Sequence, residues 1–253
     1  DSFRYYMIGA ANPGQDLNYN MEDLKLRFRN LGVLWNLHEL LISSAKLAGI
    51  NPSLSDPDKF DIEEKFMLSK LNSTIQRTTE LYEKYLLSSI PSSVEELYLS
   101  LSRDYIRLIR DKLNLGEEED KQKVLCTMYS VIMGSIKLFA PISPYITEAI
   151  YLNLRKEFNL PEESIHLCSW PKADPALIDS SLENDFVIAA TLVQTILYGR
   201  DKLGLGVRWP LQDIIVVTKD ADTKKAIEHL SDLIKLQTNI KEIRLVDTYE
   251  IKQ

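Results

Sequence analysis

Between Lys137 and Leu154 the chain reads KLFAPISPYITEAIYLNL, helical in pattern on both sides of two prolines, Pro141 and Pro144. A proline inside a helix removes a backbone hydrogen bond and costs about 3 kcal/mol, so one continuous helix is excluded. Pro141 ends the incoming helix, because the residue before a proline is pushed out of the α region. Pro144 suits the first turn of the outgoing helix, where its missing N–H is no loss. Ser143 stands where a side-chain oxygen can cap that turn. Pro141 to Pro144 is therefore a stiff corner between two packed helices, with Ile142 and Tyr145 as its expected anchors. Such a corner serves an antiparallel helical bundle. Its expected role is structural.

The rest of the first two thirds carries helical periodicity. Asn20 to Ala48 is a long amphipathic stretch with Leu24, Phe28, Leu31, Trp35 and His38 along its expected apolar side. AGINPSLSDPD, Ala48 to Asp58, is a loop by its prolines, serines and asparagine. Asp61 to Ser88 is a second long helix, with Ile62, Phe66, Leu71, Ile75, Leu81 and Tyr85 as core candidates. SSIPSS breaks it; Val94 to Leu113 and Asp120 to Ala140 come next as further helices.

After Phe158 the character changes. SIHLCSW reads as a short strand or extended edge, and Ser181 to Leu203 as a helix closed by Gly204. Gln212 to Thr218 and Ile240 to Asp247 are rich in β-branched residues and read as strands flanking a helical stretch. The expectation is a mainly α protein: a helical bundle over 1–170, then a small α/β domain over 171–253.

Composition removes several classes of function. The two cysteines, Cys126 and Cys168, lie far apart, and the three histidines, His38, His166 and His229, have no metal-ligand spacing. Neither a zinc cluster nor a disulfide framework is expected, and free thiols suit a reducing cytosol. No apolar run reaches the roughly 20 residues that cross a bilayer, so no membrane partner is expected. No P-loop, GxGxxG or GxSxG occurs, and no catalytic grouping or metal site stands out. The first residues, DSFRYYMIGA, read as the inside of a helical pattern, as in a piece of a longer protein.

The net charge of -7 argues against nucleic acid if taken as a sum, so the distribution decides. Arg103, Arg107 and Arg110 have the spacing of one helix face, with Asp104 and Asp111 as possible intramolecular partners. Lys25, Arg29, Gly32 and Asn36 align on another. Gly32 in mid-helix costs about 1 kcal/mol relative to alanine, which a close neighbour would explain. Asn72, Ser73, Gln76 and Arg77 make a polar face; amides can read base edges, and a solvated face is the alternative. Two basic stripes in an otherwise acidic bundle suit local recognition of a phosphate backbone. In GLGVRWPLQD, Gly204 to Asp213, Trp209 either anchors the small domain by packing or joins Arg208 in touching RNA.

The ordered segments resemble a known family. RFRNLGVLWNLHELL is similar to the RN…LWN helix of class I aminoacyl-tRNA synthetases, and DIEEKFMLSKLNSTIQRTTELYEKY to the next helix of that family. LSRDYIRLIRDKL, LFAPISPYITEAIYLNL and ESIHLCSWPKAD resemble later motifs of the isoleucine, valine and leucine subgroup. GRDKLGLGVRWPLQDIIVV with NIKEIRLVD resembles the C-terminal appendage of archaeal and eukaryotic-type isoleucyl enzymes. The resemblance implies a cytoplasmic tRNA-binding, anticodon-recognition region without activity of its own. Its partners would be isoleucine tRNA and the catalytic and editing domains of the same polypeptide, with no DNA and no membrane. ATP and Mg would belong to the missing catalytic domain, whose HIGH motif is absent here. Expected tRNA-binding residues are Lys25, Arg29, Asn30, Asn36, Asn72, Gln76, Arg103, Arg107, Arg110, Arg208 and Trp209. The same region of a valyl or leucyl enzyme, or a helical protein-interaction module, are the alternatives.

Overall fold

The computed structural model describes residues 1–248 apart from 55, 56 and 58. Part of the expected 48–58 loop thus lies outside the described residues. The chain forms two compact units, Asp1–Ile178 and Asp179–Gln253. The division falls after Ile178, later than the 170/171 expected from sequence. The intervening residues are tied to the bundle: Trp170 Nε1 donates to Thr79 Oγ1 at 2.9 Å, and the Asp174 N–H donates to Asn72 Oδ1 at 2.8 Å.

The first unit is a helical bundle. Its main helices are α1 (Ser2–Ala10), α2 (Met21–Ala48), α3 (Ile62–Glu83), α4 (Ile90–Ser100), α5 (Ile106–Leu108), α6 (Arg110–Leu115), α7 (Glu118–Phe139) and α8 (Pro144–Phe158). Helix α7 is the hub, packing on α2, α3, α4, α6 and α8. A Cβ on Gly134 of α7 would lie 2.5 Å from Leu71 Cδ1 of α3, so a larger residue there would require the Leu71 side chain to shift. Helix α3 starts with a reciprocal capping box between Asp61 and Glu64, as a carboxylate pair at this spacing allows. It ends at Glu83, before the expected Ser88, because Tyr85 takes a left-handed conformation (φ 56°) and stands 80% exposed. Helix α4 starts earlier than expected, at Ile90, with Pro91 in its first turn.

The stretch expected as one helix to Leu113 is not regular. Leu101–Tyr105 winds as a π turn between α4 and α5, and Ile109 separates α5 from α6. The corner at Pro141–Pro144 is present, but its cap differs. The Ser143 side chain makes no capping bond; instead the Ile146 N–H donates to Asp1 Oδ2 at 2.6 Å. A carboxylate suits the positive end of α8 better than a hydroxyl does. Ile142 is buried as expected, whereas Tyr145 is 73% exposed and anchors nothing in the core. SIHLCSW is no strand: Ile165–Leu167 is a 3-10 turn, held by Glu148 Oε2, which accepts from Ser164 Oγ and the Ile165 N–H, each at 2.9 Å.

The second unit comprises α9 (Ser180–Lys202), β1 (Leu211–Val217), α10 (Ala221–His229), α11 (Ser231–Thr238) and β2 (Ile240–Val246). The strands pair in parallel, Leu211 opposite Ile240 and Val217 opposite Val246. A parallel pair needs a crossover, and α10 with α11 supplies it. Its core gathers Leu182, Phe186, Ala189 and Val193 of α9 with Ala226, Ile227, Leu230 and Ile234.

Candidate nucleic-acid interface

Helix α2 sorts its polar residues by position. Asn20 caps it, its side chain accepting from the Glu22 N–H at 2.9 Å. Around the first turns Lys25, Phe28 and Arg29 point to solvent, as does Asn36 further on. The Lys25 ammonium pairs locally with Glu22 at 2.8 Å. Arg29 makes no ion pair among the described residues. Gly32, between Arg29 and Asn36, has no neighbour that a Cβ would meet within 4 Å, so no protein contact requires glycine there.

Arg27 and Asn30 turn the other way. Arg27 Nη1 donates to Tyr5 Oη at 3.3 Å and to Glu95 Oε2, and its guanidinium lies 5.1 Å from the centre of the Tyr5 ring. Asn30 Nδ2 donates to Glu95 Oε1. The cluster joins α1, α2 and α4. Burial, with Tyr98 and Glu95 close by, pushes the Tyr5 phenol well above its usual range. Asn30, expected at the RNA contact, is 6% exposed with its amide committed to Glu95.

The apolar side expected for α2 is rotated from the one observed. Leu31, Leu34, Leu37, His38 and Leu41 are buried, whereas Phe28 is 69% exposed. His38 is fully buried; its Nε2 lies 3.0 Å from Asn153 Nδ2, and burial lowers its pKa, which favours the neutral ring. Trp35 meets the His38 ring edge-on at 4.6 Å. Phe28 thus brings an exposed aromatic face next to Arg29. Counting it as core missed this; its position adjoining Lys25, Arg29 and Gly32 on the helical wheel was the available signal.

Arg103 lies in the π turn, Arg107 in α5 and Arg110 at the start of α6, and all three are exposed. Arg103 and Arg110 form no ion pair among the described residues. Asp104 instead accepts from Ser100 Oγ at 2.9 Å. A π turn inserts an extra residue and so rotates the next helical turn about the axis. Asn72 of α3 is buried and structural: it donates to Leu68 O at 2.7 Å and accepts from Asp174. Gln76 and Arg77 are exposed on the same helix. In the second unit Arg208 and Trp209 stand in a turn before β1, Trp209 72% exposed and outside the core of its unit. The packing role weighed for it in the sequence is not seen within that unit.

Charge inside the bundle is used differently. Lys112 Nζ lies 2.8 Å from Asp61, and 3.4 Å from both Glu63 and Glu64. Tyr105 Oη donates to Glu64 Oε1 at 2.9 Å. Burial raises the Glu64 carboxyl above its ordinary value, whereas the Lys112 hydrogen bond lowers Asp61. This cluster ties α3 to α6 and the π turn, with Glu64 buried and Asp61 at its partly exposed edge. No group of three or more His, Cys, Asp or Glu among the described residues could hold a metal ion. No described helix is long and apolar enough to cross a membrane.

A mainly α bundle carrying exposed arginines, followed by a small α/β unit, is the architecture expected of the anticodon-binding region of a tRNA ligase. The family model of the anticodon-binding domain of tRNA ligases matches residues 64–216, and the chain belongs to that family. It is similar to the isoleucine–tRNA ligase of Thermococcus kodakarensis, 34% identical over 247 residues, covering 96% of this chain and 23% of that relative. The isoleucine–tRNA ligase of Methanosarcina mazei is 32% identical over 252 residues, covering 97% of this chain and 24% of the relative. That of Methanopyrus kandleri is 29% identical over 261 residues. The chain spans about a quarter of the length of the curated relatives it matches.

Proposed function

We propose that this chain is the anticodon-recognising region of an isoleucine–tRNA ligase, working in the cytoplasm on isoleucine tRNA. The observation that carries the reading is the exposed set Lys25, Phe28, Arg29 and Asn36 on α2, in a chain of the anticodon-binding family. Arg29 supplies charge to a phosphate or a planar fork to a base edge, and Phe28 an aromatic face on which an unpaired base can stack. Arg103 and Arg110 add cations from a second place on the bundle. Ligation itself, with ATP and Mg, belongs to the catalytic part of the longer polypeptide, and this chain alone binds without catalysing.

Binding of isoleucine tRNA against an unrelated tRNA, and against isoleucine tRNA with an altered anticodon, tests the reading. The expected result is preference for the unaltered isoleucine tRNA, with affinity falling steeply as salt rises. Equal binding of all three, or none, would reject it.

A further inference from the structure

The second unit buries one guanidinium that no carboxylate pairs among the described residues. Arg200, near the end of α9, is 3% exposed. It donates from Nη2 to Gly206 O at 2.6 Å and to Trp209 O, and from Nη1 to Thr238 O at 3.3 Å. Its Nε is buried without a partner. Burying a charge against carbonyls alone costs free energy that a core would repay with packing. Here it does not: residues 201–210 are all exposed.

What Arg200 gains is a fixed shape. The Trp209 N–H donates to Gly206 O at 3.1 Å, closing a turn with Val207 and Arg208 at its tip. Asn239 Nδ2 donates to Val207 O at 2.9 Å, and the Leu205 N–H to Arg200 O at 2.8 Å. Gly204 leaves the helix at φ 66°, a conformation glycine accepts without strain. The chain thus commits a buried cation to holding a solvent-exposed turn still.

We infer that this turn is a second RNA contact, with Trp209 stacking on an unpaired base and Arg208 pairing with an adjacent phosphate. The inference rests on the proposed tRNA-binding function. Trp209 carries a large apolar face that its unit leaves 72% exposed, and Arg208 beside it has no ion pair among the described residues. Lys202 stands close by in sequence, its ammonium 5.3 Å from the centre of the Tyr198 ring. An aromatic face beside a cation matches a nucleotide: a π-surface to stack and an anion to neutralise. Pre-ordering removes the entropy that a mobile loop would lose on binding. Arg200 is then a positioning residue that touches no RNA.

The test measures the binding of labelled isoleucine tRNA by the whole chain, with thermal melting of each variant. Trp209→Ala should weaken binding on the order of tenfold, Trp209→Phe should keep most of it, and neither should lower the melting temperature. Arg208→Ala should weaken binding and reduce the salt dependence by about one counterion. Once Arg200→Gln has loosened the turn, adding Trp209→Ala should cost little more. Trp209→Ala binding as tightly as the parent, while Arg29→Ala binds weakly, overturns the inference and leaves the bundle reading standing. A lowered melting temperature with affinity kept overturns it too and assigns the turn to a protein contact. If the parent chain binds no tRNA, both readings fall.

Discussion

In the bundle, Arg27 lies between Tyr5 and Glu95 and joins three helices; in the small unit, Arg200 lies against three carbonyls and joins a helix to an exposed turn. The first arrangement meets a half-buried cation with a buried anion, so charge, hydrogen bonds and packing serve one end, the placing of α1 on α2 and α4. The second meets a buried cation with backbone dipoles, two from an exposed turn at Gly206 and Trp209 and one from buried Thr238 at the end of α11. The contrast separates two uses of the same side chain. Where the partner is a carboxylate between helices, the arginine is architecture. Where two of the three partners are carbonyls of an exposed turn, it also holds that turn's side chains for display. Arg29, two residues from Arg27, is a third case, with no ion pair among the described residues and open to a ligand.

The largest effect should come from the architectural case. Glu95→Ala leaves Arg27 and the Asn30 amide without their shared acceptor. Breaking a buried pair costs roughly 3–5 kcal/mol, and partial exposure of Arg27 brings the expected loss to about 2–4 kcal/mol. Denaturant unfolding monitored by the helical signal measures it. The folded fraction should bind tRNA as the parent does. A loss of affinity without loss of stability would dissolve the distinction between Arg27 and Arg29.

The display case gives the next effect. Arg29→Ala and Arg103→Ala should each weaken tRNA binding about five- to tenfold and lower the salt slope by about one, with unfolding unchanged. Titrations at several salt concentrations check this. A loss confined to isoleucine tRNA would make Arg29 a base contact and leave Arg103 a phosphate contact.

These assignments were only partly legible in the sequence. The helical bundle and small α/β unit are readable from periodicity, from the two-proline corner and from the β-branched runs, because those features act locally. The direction of a helix face was harder. Phe28 reads as apolar and so as core, yet the buried side of α2 is set by what α1, α4, α7 and α8 place against it. Asn30 reads as a polar reader of RNA, yet Glu95, distant in sequence, claims its amide. Asn72 is claimed in the same way by the Asp174 backbone. Ser143 has the right residue type for a cap, but Asp1, at the other end of the unit, takes the site. The exposed positions Lys25, Arg29, Asn36, Arg103 and Arg110 were legible because solvent, not a tertiary partner, decides where they point.

The cluster around Lys112 sharpens the comparison through pH. Asp61 is held below its ordinary carboxylate range, first by the Lys112 hydrogen bond. Its stabilising contribution is present above that range and is lost as pH falls through the lowered value. Glu64 is held above its range by burial, which outweighs the pull of Lys112. Its contribution is favourable below the ordinary value and is lost as pH rises through the raised one. Asp61→Asn should therefore lower the melting temperature at neutral pH, by the equivalent of about 0.5–1 kcal/mol because Asp61 is partly screened by solvent, with the gap closing in acid. Glu64→Gln should gain on the parent as pH rises. Melting curves across pH decide both, and two variants moving in the same direction would contradict the opposed environments.

The smallest effect concerns Gly32, which lies on the exposed face with Lys25, Arg29 and Asn36. A Cβ there meets nothing within 4 Å, and glycine in a helix interior is less favourable than alanine by about 0.5–1 kcal/mol. Nothing in the fold asks for glycine at this position, so Gly32→Ala should stabilise the bundle by that amount. If RNA lies close against α2 between Arg29 and Asn36, the added methyl stands in its way, and the more stable variant binds tRNA more weakly. Stability and affinity moving in opposite directions would mark Gly32 as part of the display surface. Higher stability with unchanged affinity would place the RNA further toward Lys25 and Phe28, at the start of the helix.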